Sequence, residues 1–84
     1  MYDYQITFRS LTAAQRADMA LLRQGIDAQL IRAPRSLSAM GCGYALQPNG
    51  TDIYTVLSVL RREGIGFQRV FRIRPGFAPE EVAM

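Results

Sequence analysis

The feature that most limits what this chain can fold into is a segment that occurs twice. Leu21-Leu22-Arg23-Gln24-Gly25-Ile26-Asp27-Ala28-Gln29 aligns with Leu60-Arg61-Arg62-Glu63-Gly64-Ile65-Gly66-Phe67-Gln68. In each copy a glycine follows a helical pattern, an isoleucine follows the glycine, and a strand-like run comes next. Glycine takes the left-handed conformation that ends a helix at little cost, because it has no Cβ. A helix stopped this way and followed by a strand, twice over, implies two β-α-β halves. The expected fold is α+β, a ferredoxin-like β-α-β-β-α-β plait. It has a four-stranded antiparallel sheet in the order 4-1-3-2, with two helices on one face.

Local patterns fill in the elements. Tyr2, Tyr4, Ile6 and Phe8 alternate with Asp3, Gln5, Thr7 and Arg9, the period of a half-buried strand. Ser10 and Thr12 both suit a helix N-cap, and Thr12-Ala13-Ala14-Gln15 has capping-box form. That helix runs to about Gln24, with Ala14, Ala17 and Leu21 on its packed side. Ala28 to Ala33 reads as a strand ended by Pro34, and residues 35–41 as a loop. Gly43 to Gln47 is a short strand closed by Pro48-Asn49-Gly50. Asp52 caps a second helix, in which Ile53, Val56, Leu57 and Leu60 fall at i, i+3, i+4 and i+7. Phe67 to Arg74 is the last strand. Phe8, Leu21, Val56, Leu57, Leu60 and Phe71 are expected to form one core. Residues 1–75 make a single domain, and 76–84 a tail free to flex unless Phe77 docks.

Composition narrows the function classes. With 84 residues, 49% hydrophobic and 20% charged, the chain is one small folded domain rather than a disordered segment. The longest stretch poor in charge, Ala33 to Asp52, is broken by Arg35 and Pro48, so no membrane span is expected. Met1-Tyr2-Asp3-Tyr4 lacks the basic start of a secretory signal. All ten basic residues are arginine, and the net charge is +3. That permits contacts with anions without demanding them. There is no histidine, which excludes His-based metal sites and Ser–His or Cys–His nucleophile pairs. No metal and no cofactor are expected. The acidic residues form no paired carboxylates and read as caps or surface. The one cysteine cannot form an internal disulfide, which suits the reducing cytoplasm.

In such a plait, the end of the first strand, the start of the first helix and the loop before the third strand share one end of the sheet. Cys42, at the mouth of the third strand, then lies close to Phe8, Arg9 and Ser10. It faces the N-terminus of the first helix, whose spare N–H groups carry partial positive charge. Such a position lowers a thiol pKa. Gly41 and Gly43 leave the sulfur accessible. Arg35 and Arg9 add fixed charge, while Ser10, Ser38 and Thr12 offer hydrogen bonds. The plainer reading is that a lone cysteine beside a strand is a small buried hydrophobe and its glycines are turn residues. Composition alone favours that reading.

A resemblance shifts the balance. Pro34-Arg35-Ser36-Leu37-Ser38 followed by Cys42-Gly43-Tyr44-Ala45-Leu46 resembles the selenium/sulfur carrier-like family, small bacterial proteins long described as a domain of unknown function. The strand with Phe8, the Ala-rich first helix and the Gly25-Ile26 and Gly64-Ile65 links fit as well. The likeness runs from about Tyr4 to Arg74. It implies a carrier that holds sulfur or selenium on Cys42, with protein donors and acceptors as partners. The loop 38–42 is about one residue longer than the family form. The Cys-Pro-x-Pro motif of other sulfur-relay proteins is absent.

Two other readings compete. One is a non-catalytic regulatory or interaction module that pairs through its sheet. Leu30 and Ile31, on opposite faces of the second strand, suggest a homodimer. The other, ranked lower, is RNA binding on the open sheet face. That face is expected to offer Gln5, Thr7, Arg9, Gln68, Val70, Arg72 and Arg74 and no stacking ring, with Tyr44 on the buried side. A stand-alone enzyme ranks last.

Overall fold

The computed structural model describes residues 3–32, 43–50 and 52–82. Seven elements follow in order: β1 (Asp3–Phe8), α1 (Leu11–Arg23), β2 (Ala28–Arg32), β3 (Tyr44–Pro48), α2 (Ile53–Arg62), β4 (Arg69–Ile73) and β5 (Glu80–Val82). The strands form one sheet in the order β2-β3-β1-β4-β5, and every pairing is antiparallel. The α+β class and antiparallel sheet agree with the sequence reading. The strand count does not: there are five, not four.

The repeated segment is a helix stop in both copies. After α1, the Ile26 N–H bonds to Leu21 O at 2.9 Å and the Gly25 N–H to Leu22 O at 3.0 Å. After α2, Ile65 bonds to Leu60 O at 2.9 Å and Gly64 to Arg61 O at 3.1 Å. Gly25 has φ 74° and Gly64 φ 71°. This is the Schellman arrangement, with the left-handed glycine between the two crossed bonds. Its accompanying hydrophobic contact is present, since Leu21 and Ile26 share the core.

Both helices press the same sheet face. Ile6 and Phe8 of β1, Leu46 of β3 and Val70 of β4 pack with Ala14, Ala17 and Leu21 of α1 and with Ile53, Val56, Leu57 and Leu60 of α2. The alanines of α1 let its backbone lie close to the strands. The opposite face has a smaller cluster, in which Ile31 and Ile73 pack against Ala45 and Phe71. Phe71 is therefore not part of the main core. Nor do Val70 and Arg72 face the open side: Val70 pairs with Ile6 and Arg72 with Tyr4. A sheet face is shared by directly paired residues, so both belong to the helix side. The strand begins only at Arg69, and a one-residue error in phase moves every side chain to the other face. Asp52 sits at the start of α2, but its side chain makes no capping bond.

The fifth strand comes from the tail. Pro75 and Gly76 occupy the middle of a turn closed by Phe77 N–H to Arg74 O at 3.2 Å, with Gly76 at φ 80°. Proline then left-handed glycine is the pattern of a type II turn. The Arg74 guanidinium lies over the Phe77 ring at 4.2 Å. The chain then returns beside β4, pairing Val70 with Val82 and Arg72 with Glu80. Arg69–Glu81 and Arg72–Glu80 ion pairs hold it.

Candidate functional site

The candidate site is the sheet end where β1 finishes. Phe8 pairs with Tyr44, so Gly43 enters β3 beside Arg9. Arg32, the last residue of β2, pairs with Tyr44 on the other side. Its guanidinium lies 5.9 Å from the Tyr44 ring. From β4, the Gln68 N–H bonds to Thr7 O at 2.8 Å. The Thr7 hydroxyl accepts from the Arg69 N–H at 3.1 Å. Four strands are thus tied together just below the exposed residues Arg9 and Ser10.

The start of α1 completes this end. Ser10 is extended, with φ −148° and ψ 163°, and its side chain accepts from the Ala13 N–H at 3.1 Å. Ser10, rather than Thr12, is the N-cap. The Ala14 N–H reaches Ser10 O at 3.1 Å. The N–H groups of Leu11 and Thr12 precede the helical bonding pattern, and both residues are exposed. No acidic residue occupies the first turn, so the positive end of the helix dipole is not offset there.

Electrostatically this end has one sign. Residues 7–12, 31–32, 43–45 and 66–68 contain Arg9 and Arg32 and no aspartate or glutamate. Arg9 also lines a pocket with Gly66, Phe67 and Gln68. A Cβ built on Gly43 would lie 4.0 Å from the Arg32 side chain, an ordinary contact. Glycine there is not demanded by crowding. The arrangement can attract an anion and favour an ionised nucleophile.

Of the residues singled out by sequence, Arg9, Ser10, Thr12 and Gly43 are brought to this end. Cys42, Arg35, Ser38 and Gly41 lie outside the described residues. Sequence reasoning missed Arg32, whose signal was its place as the last charged residue before Pro34. Among the described residues, no group of His, Cys, Asp or Glu could hold a metal ion. None of the described helices is long and apolar enough to cross a membrane.

A family model described as "Putative Se/S carrier protein-like" matches residues 3–72. This chain belongs to the Se/S carrier-like family. The match includes Cys42 and both helix-stop glycines and ends inside β4, so β5 lies beyond it. No curated protein and no solved structure matches the chain.

Proposed function

We propose that this protein carries sulfur or selenium on the thiol of Cys42, between a donor protein and an acceptor. The observation that carries the proposal is the Se/S carrier-like match over residues 3–72, a span with one cysteine. The chemistry needs one accessible thiolate. The Cys42 thiolate attacks the terminal sulfur of a donor persulfide. The donor S–S bond breaks, the donor leaves as a thiolate, and Cys42 becomes the persulfide. An acceptor nucleophile then takes that outer sulfur and releases the Cys42 thiolate. No external oxidant is consumed, and selenium follows the same course through a selenosulfide. The thiol must stay reduced between cycles, which suits the cytoplasm.

The positive sheet end supports this reading. Arg9 and Arg32 stand beside Gly43, the residue after Cys42, and the uncompensated α1 terminus follows Arg9 in the chain. Positive surroundings favour a thiolate. In the same reading the sheet is a ferredoxin-like plait with β5 added at the β4 edge.

Intact-mass spectrometry after incubation with a cysteine desulfurase and cysteine tests the proposal. Wild type should gain one sulfur atom that a thiol reductant removes, and Cys42→Ser should gain none. An unmodified wild-type chain, or equal modification of the variant, would overturn it.

A further inference from the structure

The sheet face without helices carries an arrangement that one layer leaves incomplete. Two cross-strand rows lie on it: Ile31, Ala45, Thr7 and Arg69, then Gln29, Gln47, Gln5, Phe71 and Glu81. Asp3 and Ile73 stand beside them. Ala45, Phe71, Ile31 and Ile73 form its apolar cluster. The cluster runs as a diagonal from Ile31 on the edge strand β2 through Ala45 to Phe71 and Ile73 on β4, flanked by polar side chains, and apolar area bordered by polar residues is common to protein interfaces.

Three observations say what covers this face. First, Gln5 is 8% exposed. Its amide donates to Gln47 Oε1 at 3.0 Å, while its own Oε1 is buried with no hydrogen-bond partner among the described residues. A buried acceptor left unpaired costs about 1–3 kcal/mol, and the same face carries donors in Gln29, Gln47 and Arg69. Second, the charges suit a like partner. The chain is +3, yet this face holds Arg69 against Asp3 and Glu81, and Arg69 is paired to Glu81 at 3.0 Å. Two copies meet here with less repulsion than on the rest of a cationic surface. A nucleic-acid strand would find no excess of positive charge. Third, the size fits a modest contact. Five strands about 4.8 Å apart and five residues at about 3.3 Å span about 24 by 17 Å, or about 400 Å² in projection. Two such faces bury about 800 Å², in the range of weak, reversible association.

We propose that the helix-free sheet face is the interface of a reversible homodimer, with the diagonal of Ile31, Ala45, Phe71 and Ile73 as its apolar contact. In a two-fold pairing each copy supplies the same patch to the other, so the amide donors of one face can meet the Gln5 acceptor of its partner. This proposal stands apart from the carrier reading, and a Cys42→Ser protein should dimerise like wild type.

Sedimentation velocity from micromolar to millimolar concentration tests it on the full chain. Wild type should shift from monomer to dimer within that range. Ile31→Glu/Ile73→Glu should raise the dissociation constant by at least about thirtyfold, the effect of losing a hot-spot side chain. Leu22→Glu, on the exposed side of α1, should leave it unchanged. In the wild-type protein, the Ile31 and Ile73 methyl resonances should move with concentration, a readout that needs no variant to fold. A wild type that stays monomeric throughout would overturn the proposal. So would a double variant that dimerises like wild type, or loss of the dimer in Leu22→Glu alone.

Discussion

Replacing Gly64 by alanine isolates the backbone contribution to the helix stop. An added Cβ at Gly64 meets nothing within 4 Å, so no clash contributes. What remains is the conformation, φ 71°. An L-residue held in the left-handed region costs about 1–2 kcal/mol. Alanine also restricts the unfolded chain, which returns about 0.4–1 kcal/mol. The net loss should be about 1 kcal/mol, which lowers the melting temperature of a domain this size by about 4–8 °C. Gly25→Ala should behave alike, since Gly25 has the same open space and φ 74°. Asparagine at either position should recover part of the loss, because it tolerates the left-handed region. Gly66 supplies the internal control. It too has nothing within 4 Å, and it is not among the positive-φ glycines. Gly66→Ala should therefore be neutral or stabilising by up to about 1 kcal/mol. Urea unfolding followed by circular dichroism resolves these differences. If all three substitutions move stability in the same direction, the Schellman reading of the repeat is wrong.

Further outcomes follow from particular contacts. Ser10→Ala removes the acceptor for the Ala13 N–H and should cost about 1 kcal/mol in urea unfolding, with Ser10→Asp retaining most of it. Thr7→Val keeps the shape of a side chain 3% exposed but leaves the Arg69 N–H without its acceptor. It should cost about 1–3 kcal/mol, with faster amide exchange at the start of β4. Arg23→Ala breaks an exposed ion pair with Glu63, and thermal melts should shift by less than the equivalent of about 1 kcal/mol. For the carrier reading, the rate of Cys42 alkylation by iodoacetamide against pH should show a midpoint below about 8.5. A midpoint at or above that value would argue against an activated thiol.

Much of the fold was legible because local signals agreed with one another. The Leu-x-x-x-Gly-Ile repeat marked both helix ends, and the apolar spacing of α2 named its buried face. β4 misled for a definable reason. Phe67 packs against the main core, and reading the strand from Phe67 carries that inward direction to Arg69, Phe71 and Ile73. The chain becomes a strand only at Arg69, with Val70 inward, so the phase slips by one residue. Both faces of β4 carry apolar side chains, and alternation alone could not correct the error. β5 was missed although Pro75-Gly76 is a turn signal, because a run of three residues has too little pattern to read as a strand. At the site, sequence brought out Arg9, Ser10, Thr12 and Gly43. Arg32 escaped notice because its position depends on strand pairing across the sheet.

The added strand also bears on solubility. An unpaired strand edge offers its N–H and C=O groups to any other chain. Without the tail, β4 would present such an edge on a strand with apolar side chains on both faces. β5 occupies that edge and replaces it with one of three residues, Glu80, Glu81 and Val82. A short, charged border is a poor template for further strands. Its glutamates also pair with Arg69 and Arg72, so ion pairs line the strand at this border of the sheet. A chain ended after Ile73 should therefore show its defect first in handling, as concentration-dependent precipitation and thioflavin-positive aggregates. The full chain, with its border intact, should stay clear under the same conditions.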